Sequence, residues 1–308
     1  MIVYKYQNQE GSKASIKNNC VLLKCPLDYN DPFDGLYIVS EKERENAYKL
    51  FLNYQIFKDL YDQFVLKKRK PNRFKFYGRL LTKEIQLIAK EVKETSYYST
   101  QKSIAKYNKF ATKILGKTYK DIRSDFNKMV DDLIDTFRGK ALVSCFAQTN
   151  KSLLLWSHYG QSHKGACFEF EVDEREFRKI QYSEEIPVLQ LSKAMSIYFG
   201  NEFNGKKVDT KDESLMFVLE PLLTKSSDWL YENEVRCIFS IDQADGRIVK
   251  DPSGRLLLKM PPIRRVYIGC RADKDFKDEI MEEAQKKNIP VTVFKQSKER
   301  YEILEEVE

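Results

Sequence analysis

The sequence predicts an α+β fold with a central mixed or antiparallel sheet and a large helical insertion. Strand-like runs occur before residue 41 and after residue 140, whereas apolar residues between them recur at helical spacing. Strands that flank a helical block are typical of α+β proteins and not of a doubly wound parallel sheet. We therefore predict a single domain over 1–308, with the insertion at about 41–140.

The N-terminal region predicts short strands joined by turns. Residues 2–6 are rich in β-formers, and residues 20–26 resemble a strand that ends at Pro26. Residues 30–35 predict a turn, because Asn and Asp bond their own backbone, proline presets φ and glycine frees it.

The block from 41 to 140 predicts several helices. The apolar positions between Ala47 and Phe64 follow helical spacing. The stretches 81–92, 104–114 and 119–137 behave similarly, and Gly139 is a plausible C-terminal cap for the last of these.

The remainder alternates between the two kinds of element. Strands are predicted at 142–146, 166–172 and 231–240, with Phe168, Phe170 and Val172 on one face of the second. Helices are predicted at 152–159 and 215–223, and a β-α-β unit is predicted from 265–269, 275–287 and 291–294.

Composition excludes several classes of protein. Aromatic residues make up 13% of the chain, too many for a disordered protein, and no apolar run approaches the roughly 20 residues of a membrane helix. The N-terminus lacks the layout of a secretory signal, so we expect a cytoplasmic protein without membrane contact.

The six cysteines include no C-x-x-C pair, and ligand-spaced Cys and His residues are absent. We therefore predict buried free thiols and no metal site. Cys167 lies close in sequence to His163, which leaves a catalytic thiol as a minor alternative.

A short basic stretch carries interleaved aromatic residues and could bind nucleic acid through phosphates and stacked bases. The alternative is a solvated loop between helices. The candidate nucleic-acid-binding residues are Lys67, Lys68, Arg69, Lys70 and Arg73.

The segment 156–165 contains both histidines of the chain, His158 and His163. In a helix their separation is about 500° of rotation, so the two rings would not share a face, which disfavours a two-histidine metal site. His158 could act at a site, or it could pack beside Trp156 as a structural residue.

The segment 229–236 places Glu232, Glu234 and Arg236 on one side of a predicted strand. Arg236 can pair with one carboxylate and leave the other perturbed, although an exposed ion pair of little energetic weight is the alternative. If the segments 156–165 and 229–236 form opposite walls of one pocket, a catalytic site results.

Four motifs together resemble a bacterial family of unknown function, domain-of-unknown-function family 2971. They are Tyr4-Lys5-Tyr6, the turn Tyr29-Asn30-Asp31-Pro32-Phe33-Asp34, the histidine segment from Trp156, and Trp229-Leu230-Tyr231-Glu232-Asn233-Glu234-Val235-Arg236. The chain departs from the family pattern at Tyr29, where Phe is usual, and at Glu169, where a small residue is commoner. The family name implies no activity.

An N-terminal strand with aromatic and basic residues, a central aromatic-rich segment and a late Glu232-Asn233-Glu234 together more distantly resemble the ADP-ribosyltransferase fold. This resemblance implies NAD as a substrate and cleavage of its nicotinamide–ribose bond. By this resemblance Glu234 stabilises the cationic ribose and Glu232 orients a nucleophile from protein, nucleic acid or water. His158 is the third candidate catalytic residue. Tyr159 or Tyr6 would stack on nicotinamide, and Lys5 or His158 would contact the pyrophosphate or ribose. The complete set of candidate substrate-binding residues is Tyr4, Lys5, Tyr6, Asn30, Asp31, Trp156, Tyr159, Trp229, Tyr231 and Arg236.

Two other functions remain open. The chain could be a non-catalytic binding or sensor module in bacterial or phage conflict, with the Trp motifs as core architecture. It could also be a metal-dependent nuclease that uses Asp31, Glu169, Glu171 and Glu234, since hard cations prefer clustered oxygens. The sequence does not predict an oligomeric state.

Overall fold

The structure is a computed structural model that describes residues 1–61, 75–76, 79–80, 118–193, 195, 220–241 and 245–306. The chain forms two compact units. The first unit contains Met1–Leu36, Thr136–Ile186 and Leu222–Glu308, and the second contains Tyr37–Asp135 and Pro187–Pro221. The prediction of one domain with an insertion did not include the later segment of the second unit.

The first part of the chain forms strand β1, helix α1 and strand β2. Their bounds are β1 Ile2–Gln7, α1 Gln9–Asn18 and β2 Cys20–Leu22, followed by a 3₁₀ helix at Pro26–Asp28. Asn8 caps α1 by accepting a hydrogen bond from the Gly11 amide. The predicted strand at 2–6 is confirmed, whereas β2 ends before the predicted limit at Pro26.

The second unit is helical in its described part, apart from two short strands. The elements between 37 and 140 are α2 Glu41–Tyr61, β3 Lys75–Phe76, β4 Arg79–Leu80 and α3 Thr118–Lys140, the last of which extends into the first unit. Tyr48 of α2 packs on Phe126 of α3 with ring centroids 5.2 Å apart. The Glu43 carboxylate accepts hydrogen bonds from the amide and hydroxyl of Ser192.

Several predictions about this block have different outcomes. The helical spacing from Ala47 is confirmed as far as Tyr61 by α2. Gly139 as a helix cap is wrong, because α3 continues to Lys140 and Gly139 lacks the positive φ of a C-terminal cap. The predicted helices at 81–92 and 104–114, and the candidate nucleic-acid-binding residues 67–73, lie outside the described residues.

In the rest of the first unit, the described residues form eleven further strands and two helices. In chain order they are β5 Ala141–Ala147, α4 Leu153–His158, β6 Ala166–Glu171, β7 Arg178–Lys179, β8 Gln181–Ser183, β9 Thr224–Ser226, β10 Glu234–Ser240, β11 Ile248–Lys250, β12 Leu256–Lys259, β13 Ile263–Ile268, α5 Lys274–Lys286, β14 Val291–Gln296 and β15 Ile303–Glu305. Glu220–Leu223 and Ser227–Glu232 form 3₁₀ helices. The predicted helix at 215–223 is described only from Glu220, where it is 3₁₀.

The central sheet has eight strands in the order β15-β14-β13-β6-β1-β5-β10-β7. Its pairs are antiparallel except β13 with β14, which are parallel and joined through α5. The predicted α+β class, mixed sheet and terminal β-α-β unit are therefore confirmed.

Period-two alternation gives the sheet two buried faces. Phe168 and Phe170 lie with Val3 in one hydrophobic core, and α1 and α5 contribute to this core. Tyr6 and Cys167 lie in the other core. The prediction that Phe168, Phe170 and Val172 share a face is confirmed, because all three belong to the first core.

The sheet is least complete between β1 and β5. Among the described residues, these strands pair only at Tyr4 and Ala147, whereas β1 pairs with β6 at six positions. We call the gap between β1 and β5 the seam. No helix in the described parts of the chain has both the length and the apolar character needed to cross a membrane.

Candidate functional site

A cavity of about 800 Å³ lies at the seam, within the first unit. Sites for small molecules usually enclose roughly 300–1,000 Å³, so this cavity has the size of a ligand site. The residues that carry most of its chemistry are Tyr4, Lys5, Tyr6 and Gln7 of β1, Ser144 and Cys145 of β5, Lys24, Tyr29, Asn30 and Asp34, His158 and Tyr159, and Lys225, Trp229, Glu232 and Glu234.

The two segments singled out in the sequence meet at this cavity. The Tyr159 hydroxyl donates a 2.7 Å hydrogen bond to the Glu232 carboxylate. The ring centroids of His158 and Tyr231 are 6.3 Å apart. The segments 156–165 and 229–236 therefore both line this one cavity, but they contact each other directly and do not face each other from opposite walls as expected.

Five buried charged side chains form one connected group, which we call the charge cluster: Asp34, Lys225, Glu232, Glu234 and Arg236. Arg236 donates to both Asp34 oxygens at 2.7 and 2.6 Å and to Glu234 at 2.6 Å. Lys225 donates to Glu232 at 2.6 Å and to Glu234 at 3.1 Å. Three carboxylates thus face two cations, which leaves one net negative charge when all five groups are ionised.

The local backbone explains how both glutamates reach Lys225. Glu232 ends the 3₁₀ helix, Asn233 is left-handed with φ 43°, and Glu234 begins β10. Asn adopts this conformation more readily than other residues that carry a side chain. The prediction of a continuous strand at 231–240 is therefore wrong in its first positions, and Glu232 reaches the cluster from a helix.

The two glutamates have opposite shifts in pKa. Burial raises the pKa of Glu234, but the nearby charges of Arg236 and then Lys225 outweigh this effect and lower it. Burial raises the pKa of Glu232, and the opposing effect of Lys225 is insufficient to restore it. Glu234 therefore favours the ionised form, whereas Glu232 takes up a proton more readily.

Asp34 and Lys225 were not recognised as site residues from the sequence. Asp34 belongs to the predicted turn at 30–35, but nothing in that turn indicates a bond to Arg236. Lys225 lies on β9 and places its amine 4.7 Å from the centre of the Trp229 ring. A buried lysine near acidic residues is the only signal, and burial is not visible in the sequence.

Several predicted substrate-binding residues lie on the cavity and others do not. Tyr4, Lys5, Tyr6, Asn30, Tyr159 and Trp229 line it. Asp31, Trp156, Tyr231 and Arg236 do not line it, and Trp156 and Arg236 are fully buried. Burial gives the predicted ligand contacts of Trp156 and Arg236 no support, because neither side chain presents surface to the cavity.

Trp156 instead packs in the core and supports Tyr6, which lines the cavity. Its indole N–H donates to the Asn150 carbonyl at 2.8 Å, and its ring meets the Tyr6 ring edge-on at 5.2 Å. The Tyr6 hydroxyl donates to the Thr149 carbonyl at 2.9 Å. Tyr6 is thus fixed in the core, and Tyr159 is the freer aromatic residue for stacking on a ligand.

The two histidines have different environments. His163 stacks on Trp156 with ring centroids 6.1 Å apart, and burial lowers its pKa. His158 is exposed at the cavity, near Tyr159 and Tyr231. It is therefore His163, and not His158 as the structural alternative expected, that packs against Trp156.

The catalytic-thiol alternative is not supported. Cys167 is fully buried in the core, and burial raises its pKa. The thiol that approaches His163 is Cys270, with Sγ 3.8 Å from Nδ1. Burial also raises the pKa of Cys270, so neither thiol is activated.

The acids of the nuclease alternative are engaged by protein groups. Asp31 accepts from the Phe33 amide, Glu169 accepts from the Tyr267 hydroxyl, and Glu169 and Glu171 both pair with Arg264. Within the described residues, no three His, Cys, Asp or Glu side chains are grouped so that they could hold a metal ion.

Gln7 adds a polar group to the cavity wall. Its side-chain oxygen is buried and has no hydrogen-bond partner among the described residues. A buried acceptor without a partner is unfavourable by about 1–3 kcal/mol. The Gln7 side chain therefore holds a buried acceptor that lacks a hydrogen bond within the described part of the chain.

Comparison with known proteins gives one match. A model of the family described as a protein of unknown function (DUF2971) matches residues 155–237, a range that spans both tryptophan-led segments. This similarity agrees with the resemblance drawn from these two segments, whereas the motifs at 4–6 and 29–34 lie outside the matched range. No curated protein and no solved structure matches the chain.

Proposed function

We propose that the cavity binds NAD and that the protein cleaves its nicotinamide–ribose bond, as an ADP-ribosyltransferase-like enzyme or NAD glycohydrolase. The observation that carries this proposal is the excess of carboxylate over cationic charge at the cavity wall. Breaking the C–N bond sends its electron pair to the nicotinamide nitrogen and leaves positive charge on the ribose, as in glycoside cleavage. A preorganised negative charge stabilises this transition state more than the substrate.

The two glutamates then have separate roles. Glu234, ionised and held on both oxygens, contributes fixed negative charge beside the ribose. Glu232, with its raised pKa, accepts the proton of the attacking water or acceptor hydroxyl as the new bond to ribose forms. Tyr159 aligns Glu232 through its hydroxyl, and the exposed His158 contacts the ribose or pyrophosphate.

The neutral parts of the cavity suit the nicotinamide end of NAD. Tyr159 and Trp229 provide aromatic surface for the ring. The nicotinamide carboxamide carries N–H donors, and the unpartnered Gln7 oxygen is an acceptor for one of them. Water is the simplest acceptor. A protein or nucleic-acid acceptor in bacterial or phage conflict remains part of the proposal.

Nicotinamide release from NAD tests the reaction. Glu232→Gln should lower kcat by about 100-fold or more, the usual contribution of a general base, and Glu234→Gln should also inactivate the enzyme. Glu299→Gln, an exposed acid in the same unit, is the matched control and should retain full activity. Wild-type protein that releases no nicotinamide with any acceptor contradicts the proposed reaction.

A non-catalytic binding module is the second candidate, and one observation favours it. Both Glu234 oxygens are already engaged by Arg236 and Lys225, an arrangement that also suits a purely structural ion-pair network. A non-hydrolysable NAD analogue that raises the Tm, without turnover of NAD itself, would support this candidate. An unchanged Tm would exclude NAD as the ligand in either case.

Gln7→Met tests the ligand orientation with two measurements. Because the methionine side chain has no unsatisfied oxygen, we expect the free protein to gain about 1 kcal/mol of unfolding free energy. We expect the same variant to bind the NAD analogue more weakly. Unchanged affinity would show that Gln7 does not accept a hydrogen bond from the ligand.

A further inference from the structure

Lys5 places an amine at the seam, in the wall of the cavity. Its Nζ donates to the Cys145 carbonyl at 2.7 Å and to the Ser144 hydroxyl at 3.0 Å. It also lies 5.1 Å from the centre of the Phe146 ring. These contacts hold the amine at a fixed position, and the side chain keeps part of its surface open to the cavity.

The surroundings of Lys5 differ from those of Lys225. Among the described residues, no carboxylate lies within 4.0 Å of the Lys5 amine, whereas Lys225 has three such partners. Lys5 has two acceptors that are both neutral, which match the two N–H bonds of an uncharged amine. The amine lone pair is then free for a ligand.

Burial lowers the pKa of Lys5, which supports the same conclusion. The ionisable groups that face it are Cys145 on β5, Cys237 and Glu234 on β10, and Lys24. Cys145, Cys237 and Glu234 oppose the lowering, and Lys24 adds to it. Because burial raises the pKa of Cys145 to about 12, that thiol is uncharged at neutral pH and supplies no counter-charge.

We propose that Lys5 is a nucleophilic amine that forms an imine with an aldehyde or ketone ligand of this cavity. This chemistry does not depend on the proposed cleavage of NAD. A lysine that is desolvated and lacks an anionic partner is the usual form of an imine-forming lysine.

The step balances without an oxidant or a reductant. The Lys5 lone pair forms a bond to the carbonyl carbon, and the π electrons of the C=O bond move to the oxygen, which takes one of the two amine protons. The hydroxyl group of this carbinolamine then leaves with the second amine proton as water, and a C=N bond forms.

Reductive trapping tests the proposal. The wild-type protein is incubated with pyridine-3-carboxaldehyde and cyanoborohydride at neutral pH, and the modified lysines are located by peptide mass spectrometry. We expect Lys5 to be labelled several times faster than Lys24, because the lowered pKa of Lys5 leaves more of its amine uncharged at neutral pH. Lys24 is the matched control, since it lines the same cavity but is exposed.

A second measurement on the wild-type protein compares the titration of the two lysines. Trace acetylation with acetic anhydride across a pH series gives the titration midpoint of each lysine in the folded protein. A midpoint for Lys5 below that of Lys24 supports the proposal. Equal midpoints, labelling of Lys24 in preference to Lys5, or no labelling of Lys5 would each overturn it. Lys5→Arg and Lys24→Arg complete the set, and only the first should abolish the trapped adduct.

Discussion

The segments 156–165 and 229–236 both begin with a tryptophan and both contribute to the cavity wall, but different forces hold them. The first is fixed by aromatic packing, with Trp156 between Tyr6 and His163. The second is fixed by buried charges, with Glu232 and Glu234 on either side of Lys225. The first segment should therefore respond mainly to changes in side-chain shape, and the second mainly to changes in charge.

The largest effect should come from Arg236→Met, which removes one of the two cations of the charge cluster. The substitution leaves Asp34 without its bidentate partner and Glu234 with Lys225 as its remaining cationic partner among the described residues. Removing one member of a buried ion pair usually costs about 3–5 kcal/mol of unfolding free energy, measurable by urea denaturation. Arg175→Met removes an exposed pair with Asp173 and should leave the urea midpoint unchanged. Equal midpoints for the two variants would mean that the cluster does not stabilise the fold.

The next largest effect is on the unfolding free energy, which the two glutamate variants should change in different directions. Glu234→Gln should lower the unfolding free energy at pH 7 by about 1.5–3 kcal/mol, the usual range for hydrogen bonds to charged groups. Glu232→Gln should leave it unchanged or raise it, because burial already penalises the ionised form of Glu232. Urea denaturation of both variants at pH 7 checks this order.

The pH dependence follows from the same shifts. The folded-state pKa of Glu234 is lowered, so its stabilisation is present above the ordinary glutamate value and is lost as the pH falls towards the lowered pKa. The folded-state pKa of Glu232 is raised, so its stabilisation is present at low pH and is lost as the pH rises through that pKa. Wild type and Glu232→Gln should therefore converge in acid and diverge towards neutrality. A constant difference between them would contradict the assignment.

The segment 156–165 should be destabilised by Gly160→Ala. A Cβ at this position would lie 2.6 Å from Trp156 Cε3 and 2.7 Å from the Trp156 carbonyl oxygen, so backbone must move. Overpacking of this kind costs about 1–3 kcal/mol. Gly246→Ala adds a methyl group to open space and is the control. Identical thermal unfolding of both variants would indicate that Trp156 can shift freely.

The smallest effect distinguishes the histidines. His163→Asn keeps a residue that tolerates the observed φ of 68° but removes the stack on Trp156, at a cost of about 0.5–1.5 kcal/mol. His158→Asn should leave stability unchanged and weaken binding of the NAD analogue. If His163→Asn weakened binding and His158→Asn did not, the assignment of His158 to the ligand and His163 to the core would be reversed.

Periodicity in the sequence predicted the strands well, because alternation in 166–172 directly records two buried faces of a sheet. It failed at 231–240, where the alternating pattern continues through Asn233 although the backbone turns left-handed there. The asparagine itself was the local signal for this break.

The partners within the charge cluster could not be predicted from spacing. Asp34 lies 202 residues from Arg236, and the two meet only after the chain has folded. The motif around Glu232 and Glu234 indicated that acids would be close together, but the cation between them, Lys225, comes from β9, outside the motif. Local patterns therefore located the site, and tertiary contacts determined its electrostatics.

The seam divides the sheet into five strands on one side and three on the other. Across it, the Lys5 amine bonds the Cys145 carbonyl and thereby ties the two halves. A molecule that binds this amine competes with the hydrogen bond to the Cys145 carbonyl. Occupancy of the cavity and the contact between β1 and β5 therefore depend on the same amine. Filling the cavity should therefore alter the rate at which backbone amides in the bordering strands exchange with solvent, even at positions that no bound molecule touches.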